Sequence, residues 1–257
     1  MVKSTISNKE EPLKAEIVLK ILRDSYLQQC QYDPETEPDI ELTFESTVEE
    51  WRNACDLVAW KPLGKAMNRW FQIDHTDDQW HEVLEPAESK NLLGVCQLIS
   101  HTATRPTLVP LNIFGKSCLE AGAFITLRTE LAKHGVPVKA LRPSMPLHPW
   151  LIKYWGELSD VVGKVSPEAL PPVRIEKTFI QRLSYWLFGI GIISWPVSYL
   201  INLETISMVA TACFISGLLL FIITSRMKPK RVSFDNLETI GDVCRLISAS
   251  VKSRCNA

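Results

Sequence analysis

Between Leu183 and Ser225 the chain runs for 43 residues with a single charged side chain, Glu204, which divides the stretch into Leu183–Leu203 and Thr205–Ser225, 21 residues each. At ~1.5 Å per residue, a helix of that length covers the roughly 30 Å hydrocarbon core of a bilayer. The spacing predicts a two-helix transmembrane hairpin. Pro196 would kink its first helix, and Tyr185, Trp186, Trp195 and Tyr199 would stand at interfacial positions. Gly189, Gly191, Ala210, Ala212, Ser216 and Gly217 would let the two backbones approach closely. No Asp, Glu, Lys, Arg or His lies inside either half, so an ion path or proton relay has no residue to carry it. The hairpin reads as an anchor, with Glu204 a solvated carboxylate at its turn.

Orientation follows from the flanks. Arg174, Lys177 and Arg182 precede the first half, Arg226, Lys228, Lys230 and Arg231 follow the second, and the turn carries no Lys or Arg. The membrane-flanking set is therefore Arg182, Arg226, Lys228, Lys230 and Arg231. The expected location is the inner (cytoplasmic) membrane, with two spans, both termini cytoplasmic and the lipid bilayer as one partner. Residues 1–20 hold no apolar run followed by small residues, so no cleaved signal peptide is expected. Seven scattered cysteines without a CxxC pair suit a reducing compartment.

Outside the hairpin the apolar spacing is helical. Ile17, Ile21, Leu22, Tyr26 and Leu27 share one face of a first helix, and residues 30–42 form an acidic loop. Thr47–Glu50 and Thr76–Gln79 are capping boxes that open helices, and a run from Trp60 or Pro62 to Phe71 and another over Asn91–His101 supply two more. Residues 105–117 read as a short strand or extended connection. Ala121–His134 is helical and closes on Gly135, Pro143, Pro146 and Pro149 forbid a helix before Trp150, and Leu151–Val165 forms the next one. Leu237–Val251 is the last. The fold class expected is mainly α, with small cytoplasmic helical bundles plus the hairpin. The domains are 1–104, 105–182, 183–225 and 226–257, the last completing a second bundle with 121–155. Val95–Ser100 (VCQLIS) and Val243–Ser248 (VCRLIS) agree at five of six positions, which suggests two related bundles, the second interrupted by the hairpin.

The order of elements in residues 11–104 resembles the acyl-carrier-protein pattern: a first helix, a long acidic loop, a helix ending on the aromatic-and-Ile step Trp70–Ile73, and a closing helix. Leu237–Ile247 is similar to the closing helix of such carriers. The resemblance implies a carrier-like bundle, but the stretch matching the attachment motif Asp-Ser-Leu is Ala54–Leu57, without a serine, and Ser25 lies inside the first helix. It therefore implies a carrier fold without the prosthetic group. The whole arrangement also resembles uncharacterised bacterial two-helix membrane proteins.

Catalytic templates fail one by one. His75, Asp78 and His81 are the densest ligand-type cluster, but their spacing fits no zinc signature and the capping box accounts for their neighbours. Gly115–Ser117 resembles the end of a phosphate-binding loop, yet Pro110 stands where glycine is required. His101, His134 and His148 read as structural. No catalytic, cofactor or metal residue is expected. With 28 basic and 29 acidic residues the chain lacks the field that nucleic-acid binders need. Residues 1–60 carry 13 acidic and 6 basic side chains, and residues 226–257 carry 7 basic and 3 acidic. The function expected is a non-enzymatic membrane-anchored protein presenting cytoplasmic helical domains to a protein partner. The alternative is a membrane-bound carrier or enzyme of lipid or acyl metabolism.

Overall fold

The computed structural model describes residues 10–33, 36–37, 39–176, 178–201, 204–224 and 229–255. The chain divides into two units, residues 1–174 with 233–257, and residues 175–232.

In the first unit, β1 (Glu10–Pro12) leads into α1 (Ala15–Gln29), whose buried face carries Val18, Leu19, Ile21, Leu22 and Tyr26. The acidic loop that follows is tied down by Tyr26, whose hydroxyl donates to the Glu37 carbonyl and accepts from Ile40 N at 3.2 Å. Both capping boxes form. Thr47 Oγ1 accepts from Glu50 N at 3.0 Å and Glu50 Oε2 accepts from Thr47 N at 2.8 Å, opening α2 (Val48–Ala54). Next comes α3 (Trp60–Phe71), which stops where Gln72 turns left-handed at φ 58°. Thr76 and Gln79 cap α4 (Asp77–Leu84), and the Asn91 side chain caps α5 (Leu92–Thr102). After α5, β2 (Thr104–Pro106) pairs antiparallel with β1 and closes the bundle. The core is Val18, Ile21, Leu22, Trp51, Leu63, Phe71, Trp80, Leu84, Leu92, Val95 and Ile99.

A second bundle follows in the same unit. Residues 105–117, expected to be extended, contain a hairpin: β3 (Leu111–Ile113) pairs with β4 (Lys116–Cys118) across a turn in which Phe114 and Gly115 have φ 51° and 77°. Two positive-φ residues give the turn the twist that a two-residue hairpin requires. Then come α6 (Leu119–Lys133) and α7 (Leu147–Val165). The prolines do not delay α7 to Leu151, because Pro149 lies in the first turn, where its missing N–H has no intrahelical partner to lose. Inside α7, Tyr154 leaves the helical region at φ −132°, ψ 20°.

The chain leaves this unit through β5 (Val173–Glu176), makes α8 (Phe179–Ile201) and α9 (Glu204–Thr224), returns through β6 (Arg231–Phe234), which pairs with β5, and ends in α10 (Ile240–Cys255). Helix α10 packs on α6 and α7 as α5 packs on α1.

The two bundles share a backbone signature. In the first, Val48 N donates to Lys90 O at 2.8 Å, Leu92 N to Ser46 O at 2.9 Å and Leu93 N to Phe44 O at 3.1 Å. In the second, Leu147 N donates to Glu238 O at 2.7 Å, Ile240 N to Met145 O at 3.2 Å and Gly241 N to Pro143 O at 2.7 Å. Each first-bundle residue at the second-helix end lies 99 positions before its counterpart, and each at the closing-helix end 148 positions before. The bridges Thr47–Asn91 and Pro146–Thr239 keep the same register. So do the side chains: Leu42, Val48 and Trp51 correspond to Leu141, Leu147 and Trp150, all buried. VCQLIS and VCRLIS fall at matching places in α5 and α10. The break at Tyr154 falls where Cys55 ends α2, so α7 joins the equivalents of two helices that residues 55–59 separate in the first bundle.

The second unit holds the two helices of the apolar stretch, but the membrane reading does not stand. Among the described residues no helix is long and apolar enough to cross a membrane. The two-helix transmembrane hairpin spanning Leu183–Leu203 and Thr205–Ser225 is thereby overturned. The two-span inner-membrane localisation and the topology drawn from the flanking charges fall with it. Freedom from charge is a weaker condition than continuous apolarity, and the helices do not follow the charge-free windows. Helix α8 starts at Phe179 and takes in Gln181, Arg182 and Ser184, while Glu204, read as a loop residue, is the first residue of α9.

Candidate functional site

The α8–α9 hairpin is held by its own aromatic ladder. Phe188 stacks on Phe214 at 5.4 Å and Phe221 at 6.0 Å, and Tyr185 meets the Phe221 edge at 5.5 Å. Of the two hairpin glycines whose surroundings are described, Gly189 faces open space and Gly217 makes a close approach, since a Cβ there would stand 2.6 Å from Phe188 N.

The outside of the hairpin is apolar as well. Phe179, Leu183, Trp186, Ile190 and Ile193 are exposed at alternating spacings of four and three residues, with Phe179 76%, Trp186 72% and Ile193 70% exposed. On α9, Ile215, Leu218 and Ile222 follow the same alternation, with Leu219 and Ile223 beside them. That spacing is the apolar seam of helices that pack on other helices. Thirteen large apolar side chains of the described hairpin are exposed. At roughly half exposure each they present on the order of 1,000 Å² of apolar surface, beyond the ~300–600 Å² of the largest patch on a typical monomer. Of the flanking residues, Arg182 is exposed on α8, Arg231 lies in β6, and Lys230 N donates to Glu176 O at 2.9 Å. Arg226 and Lys228 lie outside the described residues.

The histidine cluster resolves into packing. His75 is buried, its Nε2 lies 2.9 Å from Leu98 O and 3.1 Å from Thr102 Oγ1, and its ring meets the Trp80 edge. His81 stands edge-on to Trp60 at 5.0 Å, and Asp78 is exposed. Among the described residues no three His, Cys, Asp or Glu side chains are placed to hold a metal ion.

At the stretch matching the carrier attachment motif, Cys55 caps the end of α2. It is buried, and burial pushes its thiol up to about 12, so it is no accessible nucleophile.

A group of buried charges joins the first bundle to α7 and the segment after it, and nothing in the sequence marked it. Asp24 is 6% exposed and accepts from Glu168 N at 3.4 Å; burial pushes its carboxyl up to about 6, and the Glu168 charge adds to the rise. Lys164, 8% exposed, donates to the Trp70 carbonyl, and burial pulls it down to about 8 against the opposing pull of Asp160 and Glu130. Burial also raises Asp160 to about 6 and, with the Lys164 charge, lowers His134. Beside them the Gln28 amide donates to Pro171 O at 3.1 Å and accepts from Val173 N at 2.8 Å. Such displaced proton affinities are common at active sites. Here, however, Asp24, Lys164 and Gln28 each hold a backbone group from the other side of the seam. The arrangement fastens the two bundles together.

Comparison with protein families, with curated proteins and with solved structures gave no match.

Proposed function

We propose that the protein is a non-enzymatic assembly module: two fused helical bundles of carrier-like arrangement that associate with a second copy of the chain through the α8–α9 hairpin. The observation that carries this reading is the exposed apolar stripe on α8, repeated on α9. A helix apolar on more than the face it shares with its partner must be covered. Two hairpins laid face to face make a four-helix bundle, in which such stripes interdigitate. The surface available exceeds the ~800 Å² that each partner buries in a standard interface. A twofold pairing also brings identical stripes together without a separate complementary protein. The buried thiol of Cys55 and the missing attachment serine favour contact over group transfer.

Two differently tagged copies expressed together test it. They are expected to co-purify through either tag, and Trp186→Glu with Leu219→Glu is expected to separate them while leaving the bundles folded by circular dichroism. Recovery of single-tag chains would overturn the reading, and so would recovery of single chains bound to a lipid or to a different protein.

A further inference from the structure

The two bundles differ in one respect that their shared frame makes visible. Helices α1 and α6 are both 15 residues long, and Glu16 lies in the first turn of one as Glu120 does in the other. The Glu16 carboxylate acts on Cys96 in α5 as the Glu120 carboxylate acts on Cys244 in α10, each thiol being pushed up to about 12 chiefly by burial. Cys96 and Cys244 are counterparts in VCQLIS and VCRLIS. In that register Ile17, Val18 and Leu19 of the first bundle become Ala121, Gly122 and Ala123 in the second. Three consecutive aliphatic side chains are cut back.

The space is partly taken by backbone. A Cβ on Gly122 would stand 2.1 Å from Val109 O, so the Val109–Pro110 strap lies directly on α6. Beside the strap a cavity of about 290 Å³ remains, lined by Leu111 and Cys118 of the β3–β4 hairpin, Ala121, Phe124 and Ile125 of α6, and Cys244 of α10. Its one charged lining residue is Glu120. Pro143 and Gly241, which belong to the shared backbone signature, complete the wall.

We infer that this cavity is a binding site for a small aliphatic amphiphile whose positively charged or hydrogen-bond-donating end meets Glu120. The volume stands at the small end of ligand cavities, ~300–1,000 Å³. An apolar wall with one carboxylate orients such a ligand tail inward. A carboxylate-headed ligand of the same length is disfavoured by like charge, and the first bundle carries the larger Ile17 at the Ala121 position.

Calorimetric titration of the full chain with octylamine and with octanoate tests the site, with Glu120→Gln and Ala121→Ile as variants. Octylamine is expected to bind at a saturable single site at least tenfold more tightly than octanoate. E120Q should remove that preference, and A121I, which restores the residue of the first bundle, should abolish the saturable site. E120Q changes an exposed side chain, so it remains informative if A121I fails to fold. Absence of saturable octylamine binding overturns the inference. Equal affinity for the two ligands does so too, as does octylamine binding that neither variant alters, which would place the amine on the exposed hairpin.

Discussion

Trp51 and Trp150 occupy the same place in two copies of one helical bundle. Each is buried, and each lies three residues beyond a position, Val48 or Leu147, whose backbone N–H reaches the segment leading into the closing helix. Replacement of either by alanine removes a large buried side chain and is expected to cost about 3–5 kcal/mol. Urea unfolding of W51A and W150A, followed by circular dichroism, is expected to give similar losses. A loss confined to one site would show that the bundles do not share a core plan.

The strap over α6 depends on Gly122. Here the obstructing atom is a backbone carbonyl, so Gly122→Ala is expected to destabilise by about 1–3 kcal/mol, although alanine is the better helix former. Thermal unfolding of G122A checks this. A stabilised variant would mean that Val109–Pro110 does not lie on the helix.

The buried seam sets a pH dependence whose sign follows from its shifts. Asp24 and Asp160 are raised to about 6, so the folded state favours their protonated forms. Their contribution to stability declines as pH rises from about 4 to 6 and is flat above. Lys164 is lowered to about 8, so its contribution recovers as pH rises from about 8 toward its ordinary value. The three groups together are least favourable between about pH 6 and 8. Asp24→Asn keeps an acceptor for Glu168 N and is expected to raise stability at pH 7 by about 1–3 kcal/mol, with no gain at pH 4. Urea midpoints across that range measure it, and a gain independent of pH would contradict the burial of an ionised Asp24.

Thiol reactivity separates the cysteines by burial. Cys55, Cys96 and Cys244 are buried with thiols pushed up to about 12, whereas Cys30 and Cys118 are half-buried. Iodoacetamide at pH 8 is expected to modify Cys30 and Cys118 before Cys55, Cys96 and Cys244 in the native chain, as read by peptide mass spectrometry. Rapid native modification of Cys55 or Cys244 would contradict the packing of its bundle. Protection of these two thiols reports burial whatever compartment surrounds the protein.

What the sequence disclosed was local. The capping boxes at Thr47 and Thr76 form because their partners lie three residues away, and VCQLIS and VCRLIS were visible as text. The remaining equivalences were not. Residues 55–59 separate two helices in one bundle while α7 runs through the same place in the other, so Trp51 and Trp150 do not sit in matching local contexts. Burial of Asp24 and Lys164 depends on which elements meet, and periodicity along one helix does not contain that. Two helices do lie in the 183–225 region, but their bounds differ from the charge-free windows, and freedom from charge does not make a span. The cavity beside Ala121 lies where α6, α10 and the β3–β4 hairpin meet, a juxtaposition that no local pattern contains.

Sedimentation equilibrium of the full chain in detergent-free buffer, over a hundredfold range of concentration, tests the assembly reading most directly. A mass twice the 29.1 kDa of the single chain is expected, falling to the single-chain mass in the Trp186→Glu, Leu219→Glu variant. A chain that remains at 29.1 kDa throughout, or that stays in solution only when detergent or lipid covers the hairpin, would contradict it.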